Sequence, residues 1–202
     1  MLTRYLLTAA GAMLMLGYAA TSASAAGIFT LKSTTFQDGH MMPLKVGNSK
    51  ANSPNPNCVG DNVSPELSWT DAPAATKSFI LLMSDPQAFN GAGNVHLVAY
   101  GIAPSVSGFA EGELSKPSDK FVGGKNTAGK PTYGGPCAPA NNSPHHFMFL
   151  LIATDFAPTD LPSGMSMEEV MAKIGPTGKP APHAKGSTTL VGLFVNPWRP
   201  NE

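Results

Sequence analysis

Short apolar runs cut apart by turn residues constrain this chain more than any other feature it has. Phe79-Ile80-Leu81-Leu82-Met83 lies between Lys77-Ser78 and Ser84-Asp85-Pro86. An unbroken apolar stretch of that length with polar edges reads as a strand buried on both faces. Residues 95–100, 146–153 and 190–195 read as further strands, and 29–32 as a short alternating one. Between them the chain is rich in Gly (21) and Pro (19) without any period, which favours turns between short strands over long helices. One helix is expected. Ser166 and Glu169 have capping-box spacing, Met167, Val170, Met171 and Ile174 share a face, and Gly175-Pro176 stops the run. Met165, Met167 and Met171 are therefore read as packing residues rather than a copper-binding cluster. Residues 48–57, 115–131 and 175–182 read as loops. The expected product is one mainly β domain over residues 27–202 with minor helix.

Residues 1–26 are set aside as a secretory signal peptide. Arg4 gives a thin positive start, the stretch from Leu6 to Ala20 is apolar except for Thr8 and Tyr18, and Ala23-Ser24-Ala25 supplies a small-residue cleavage site. The apolar run is short for a membrane span, so no transmembrane segment is expected in the mature chain. No Cys stands at the cleavage point, so no lipid anchor is expected there. The destination is the bacterial periplasm or the outside of the cell. Cys58 and Cys137 are the two cysteines, and an even count in an exported chain favours a disulfide. Two separate buried thiols are the alternative. Thirteen basic and thirteen acidic residues leave a formal net charge of zero, which gives no electrostatic case for a nucleic-acid partner.

The candidate chemistry gathers at strand ends. Tyr133-Gly134-Gly135-Pro136-Cys137-Ala138-Pro139 is a flexible turn whose backbone amides are expected to be free for a ligand. His145-His146 follows at the head of a strand, His96 opens another, and Asp85-Pro86 closes the Phe79–Met83 run. Strand ends are rigid and open, which suits pockets. Asp85 is expected to orient an imidazole and raise its pKa, and two imidazoles with the turn amides would face an anionic oxygen. Neighbours on a strand face opposite ways, so only one of His145 and His146 is expected in the pocket. Gly-x-Ser-x-Gly, phosphate-loop and zincin motifs are all missing, which favours binding over catalysis, and no cofactor is expected. Asp85, His96 and His145 also make a two-His, one-carboxylate set, so a metal-dependent enzyme is the weaker alternative.

These residues resemble the phosphatidylethanolamine-binding protein family in its bacterial, Raf kinase inhibitor-like branch. The resemblance runs from Phe29 to Phe194. It rests on Cys58-Val59-Gly60-Asp61-Asn62-Val63-Ser64-Pro65-Glu66-Leu67-Ser68-Trp69, Ser84-Asp85-Pro86, Val95-His96, Gly124-Lys125-Asn126, Tyr133-Gly134-Gly135-Pro136-Cys137, Pro144-His145 and Leu190-Val191-Gly192. It implies a β-sandwich with a large central antiparallel sheet, a smaller sheet and few peripheral helices. It also implies a pocket for phosphate-like anions or phospholipid head groups, with Asp85, His96, Gly134, Gly135, Pro136, His145 and Phe147 at the ligand. The two cysteines fall in segments that the family places side by side, which implies a Cys58–Cys137 bridge pinning the pocket turn. Five positions depart from the family pattern. Gln87 stands for an Asp, Phe89 falls near the usual Pro, Leu97 replaces a Trp, and His146-Phe147 replaces Arg-Tyr. The lost Tyr hydroxyl is a donor to a charged acceptor, worth about 1.5–3 kcal/mol, so anion binding weaker than the family norm is expected. The competing expectation is an interaction protein that inhibits a protease or other partner through loops 48–57 and 115–130.

Overall fold

The computed structural model describes residues 27–53, 55, 58–139, 143–175 and 182–197. The expected signal peptide, most of the 175–182 loop and Trp198 lie outside them. The strands are β1 (Thr30–Lys32), β2 (His40–Met41), β3 (Leu67–Thr70), β4 (Ser78–Asp85), β5 (Asn94–Ile102), β6 (Gly108–Phe109), β7 (Val122–Gly123), β8 (His145–Thr154) and β9 (Ala184–Phe194). Two helices, α1 (Ala88–Gly91) and α2 (Met167–Ile174), complete them with two short 3-10 turns. The larger sheet runs β2-β9-β8-β4-β5-β7 and the smaller β1-β3-β6. The chain is mainly β and its two sheets pack face to face, as expected. One detail differs: β2 pairs with β9 in parallel, His40 opposite Gly192, while the other pairs are antiparallel. Two residues carry too little sequence pattern to announce a strand, let alone its direction.

β4 explains why its sequence is continuously apolar. Its Leu81 and Met83 point into the space between the sheets with Leu97, Phe147, Phe149 and Leu151, where Leu31, Leu67 and Trp69 of the smaller sheet meet them. Its Ile80 and Leu82 point the other way and pack with Val98, Tyr100 and Ile152 beneath α2. Alternate side chains leave a strand on opposite faces, so a strand covered on both faces must be apolar at every step. Trp69 sits edge-on to Phe79 with ring centres 5.3 Å apart, tying the two sheets together.

α2 starts as its sequence dictates. The Glu169 amide donates to Ser166 Oγ (3.3 Å) and the Ser166 amide donates to Glu169 Oε2 (2.7 Å), closing the capping box. Val170 and Ile174 are fully buried from its inner face, each burial contributing about 1.5–3 kcal/mol. This helix covers one face of the large sheet and leaves the ends of β4, β5 and β8 open to a cavity.

Candidate functional site

The cavity, of about 620 Å³, sits where β4 ends, β5 begins and β8 begins. Asp85 is the last residue of β4 and is nearly fully buried. Its Oδ1 accepts the amides of Gln87 (2.9 Å) and Ala88 (3.2 Å), which turns the chain out of the sheet. Its Oδ2 accepts from Nδ1 of His145 (2.7 Å), the first residue of β8. The carboxylate thus fixes one ring nitrogen of His145, and Nε2 has no protein partner among the described residues. Strand alternation separates the two histidines as expected: His145 is buried at the cavity and His146 is exposed. Two amino-acid departures from the family pattern turn out to touch. The backbone amide and Nδ1 of His146 both donate to Gln87 Oε1, each at 2.7 Å.

His96 owes its position to a β-bulge. Met83 pairs with Leu97 and Ser84 with Val95, so His96 is the extra residue of β5. Bulges re-aim side chains and release backbone groups beside functional sites. The released His96 carbonyl accepts the Gly134 amide (2.9 Å), and His96 Nδ1 donates to the Gly134 carbonyl (2.6 Å). Nε2 lies 2.8 Å from Asn94 Nδ2 and so accepts from that amide. With Nδ1 carrying the proton and Nε2 accepting, this is a neutral imidazole. Burial holds its pKa below the usual range, outweighing the Gly134 carbonyl and the Asp85 charge that favour the cation. The expected pKa increase under Asp85 is therefore reversed for His96, because dehydration wins there.

The turn amides are also not free. The Gly134 amide is taken by His96, and the Gly135 amide donates to Asn62 Oδ1 (2.7 Å). Both bonds pin the turn to its neighbours. Gly135 is required sterically, since a Cβ there would run into the backbone of Val46 and Gly47. The Pro136 carbonyl accepts the Asn48 amide (2.7 Å) from the facing segment. The Cys58–Cys137 disulfide joins the same two segments across 79 residues of sequence, with Cα atoms 5.2 Å apart, and both cysteines line the cavity.

Asp85, His96, Gly134, Gly135 and His145 all line the cavity, whereas Pro136 and Phe147 do not. Pro136 is buried behind the turn. Phe147 is fully buried, with its ring 5.2 Å from that of His96 and 6.5 Å from that of His145. It backs the imidazoles and helps to dehydrate His96. Tyr133 does not replace the missing hydroxyl, because its buried phenol donates to the Val46 carbonyl (2.9 Å). Burial pushes its pKa up. Sequence reading missed the asparagines: Asn48, Asn52, Asn90, Asn94 and Asn126 all line the cavity. They are scattered along the chain, and no spacing marks them as a set. No three of the described His, Cys, Asp or Glu side chains are placed to hold a metal ion. His96 and Asp85 are each committed to other partners.

Comparison with known proteins decides the family. The family model for phosphatidylethanolamine-binding protein matches residues 32–181. The chain belongs to this family. A Mycobacterium tuberculosis protein named as lipoprotein LppC is 33% identical over 176 residues, covering 87% of this chain and 77% of the relative. The crystal structure of Escherichia coli YbcL shares the fold with a TM-score of 0.71 at 24% identity, covering 83% of this chain and 98% of that one. A family homologue from Chlamydia trachomatis gives a TM-score of 0.65 at 28% identity, covering 82% and 96%. These relatives carry the bacterial branch of the family that the sequence motifs imply.

Proposed function

We propose that this is an exported, non-enzymatic binding protein whose cavity takes a phosphate-bearing polar head group, with His145 as the principal anion contact. The observation that carries the reading is the Asp85–His145 contact of 2.7 Å inside the cavity, which orients the imidazole and leaves Nε2 for a ligand. Among the described residues, neither Lys nor Arg lines the cavity. With a carboxylate on the wall and no Lys or Arg beside it among the described residues, the site suits a zwitterionic or singly charged head group better than a bare dianion. Phosphatidylethanolamine, for which the family is named, has such a head group. His96 serves as a neutral positioning residue for the Gly134 turn. Gly134 and Gly135 form the wall through their backbone, while Pro136 and Phe147 brace it. The disulfide fits an oxidising compartment, and a relative is named as a lipoprotein, which together support the periplasm or the exterior as the place of action.

An NMR titration of the purified protein with phosphoethanolamine and with inorganic phosphate tests this. Saturable shifts at Asp85, His145 and Gly135 are expected, and they disappear in His145→Ala. No shift at millimolar ligand in the unmodified protein would sink the proposal.

A further inference from the structure

The outer part of the cavity has a chemistry that a phosphate does not use. Phosphate oxygens accept hydrogen bonds, so a wall built for them presents donors. This wall presents side-chain amides with donors and acceptors side by side. Asn48 Oδ1 accepts from the Ser49 amide (2.9 Å), which leaves its NH2 unused. Asn52 Nδ2 donates to Ser49 Oγ (2.9 Å), which leaves its Oδ1 unused. Asn94 gives its NH2 to His96 and keeps Oδ1. Asn90, also on the cavity wall, has no side-chain partner among the described residues. A hydroxyl group, donor and acceptor in one, is the ligand group that matches such a mixture.

Beside these amides stands an aromatic ring with no packing reason to be there. Phe89 lines the cavity mouth and is 68% exposed. It is held in the left-handed region (φ 50°, ψ 44°), and Asn90 follows in the same region (φ 59°, ψ 36°). Successive non-glycine residues there are strained, and such strain persists where the surroundings hold it for a purpose. Here the strain presents an apolar face next to polar amides. That pairing suits a ring with an apolar face and a hydroxylated edge.

We propose that the outer cavity is a subsite for a hydroxylated ring, a sugar or cyclitol, carried on the phosphate-bearing head group. Phe89 stacks on the ring face, and Asn48, Asn52, Asn90 and Asn94 pair with its hydroxyls. This rests on the head-group reading above and narrows it from any phosphate ester to a phosphorylated polyol. The ring can arrive free in solution or at the surface of a lipid bilayer, with the same chemistry at the protein.

The test compares inorganic phosphate, phosphoethanolamine, myo-inositol phosphate and unphosphorylated methyl glucoside by calorimetry and NMR on the purified protein and on Phe89→Ser. The inositol phosphate is expected to bind about tenfold tighter than phosphoethanolamine, with shifts spreading from His145 to Asn48, Phe89 and Asn90. In Phe89→Ser that advantage shrinks to about threefold or less. Saturation transfer from Phe89 to the ring protons reports stacking independently of affinity. Vesicles with and without phosphatidylinositol tell the lipid-borne source from the free one, and either meets the proposal. Equal affinity for phosphoethanolamine and inositol phosphate, with shifts confined to His145, overturns the subsite and leaves the head-group reading standing. Methyl glucoside shifts at Phe89 with no phosphate binding would overturn the head-group reading and the phosphorylated ligand with it. Phe89-dependent retention on vesicles lacking any sugar lipid would assign the ring to acyl chains and overturn the proposal.

Discussion

β8 has an Asp–His contact at each end, and the two are nearly the same length. Asp85 and His145 meet at 2.7 Å at its head, while Asp155 and His183 meet at 2.8 Å just past its tail. Their settings differ. The head pair is almost buried, with side-chain exposures of 11% for His145 and 4% for Asp85, against 44% for His183 and 29% for Asp155. Asp155 Oδ1 accepts from His183 Nδ1 and Oδ2 accepts from Lys185 Nζ (2.6 Å), so both oxygens are engaged. The His183 ring stacks on Phe156 with centres 4.5 Å apart. That arrangement is a surface clamp that fastens the start of β9, with solvent beyond it. At the head, backbone amides take one carboxylate oxygen, the imidazole takes the other, and a cavity lies beyond. One contact has two uses, and burial rather than residue type separates them.

The largest effect expected from breaking this contrast is at the disulfide, which braces the head of β8 alone. Replacing both Cys58 and Cys137 by Ala releases a loop closed across 79 residues. The chain-entropy account gives roughly 4 kcal/mol of lost stability. Urea denaturation reads that loss, and phosphoethanolamine binding should fall with it, since the turn and the Asn48 segment are no longer held together. A loss under about 1 kcal/mol would mean that the hydrogen bonds alone hold the pocket wall.

Next comes Asp85→Ala, expected to destabilise by about 3 kcal/mol. It strands the buried His145 Nδ1 donor and removes the acceptor for the Gln87 and Ala88 amides. Asp85→Asn keeps the acceptor for the Gln87 and Ala88 amides but turns an NH2 donor toward His145 Nδ1, so it should recover about half of that loss while still weakening anion binding. If Asp85→Ala proves no worse than Asp155→Ala in urea, burial does not distinguish the two pairs.

Much of this frame was legible in the sequence. β4 was readable because a strand buried on both faces has no polar position to blur it. α2 was readable because Ser166 and Glu169 sit at the spacing that their backbone bonds require. The head of β8 was half readable: alternation admitted only one of His145 and His146 to the pocket, and the family motif pointed to His145. What stayed hidden depends on register. A bulge at His96 is a mismatch between two strands, and neither strand's sequence carries it alone. The Gly134 and Gly135 amides looked free because Asn62, which consumes one, lies far away in sequence, and the bulge that consumes the other was unseen. Phe147 was assigned to the ligand by its position in the family motif, yet its full burial places it behind the imidazoles. The asparagines of the cavity wall come from separate segments, and only the fold brings them together.

A smaller effect follows from the neutral His96. Its folded pKa lies below the ordinary value of about 6.5 that it regains on unfolding. The unfolded state therefore binds the proton more readily, and stability falls as pH drops below about 6.5 toward the folded pKa. One proton limits the slope to about 1.4 kcal/mol per pH unit. Imidazole 15N shifts at neutral pH should report the Nδ1–H form for His96, with a titration midpoint below that of a solvent-exposed histidine. A midpoint at or above the ordinary value would show that Asp85 outweighs burial and that His96 is available as a cationic ligand donor. Asn94→Ala sharpens this measurement. It removes the donor to Nε2, which accepts only in the neutral ring, so the midpoint should rise.

Salt separates the two ends of β8 with the least disturbance. Asp155 is held down to about 2 by its hydrogen bonds to Lys185 and His183 and by their charges. A depressed carboxyl contributes stability that is present above the usual carboxylate range and lost as pH falls through the folded value. The groups face solvent, so raising salt from about 0.1 M to 1 M shortens the screening length from about 10 Å to 3 Å and weakens the charge part of that depression. The Asp155 midpoint, followed by carboxyl 13C shifts, should move up toward the ordinary carboxylate range as salt is added. The destabilisation caused by Asp85→Ala should not change over the same range, because the groups it strands are dry and their loss is of hydrogen bonds rather than of screened charge. If both respond to salt alike, then solvent reaches the head of β8 as freely as its tail. Burial at the head of β8 would then not account for the neutral ring of His96.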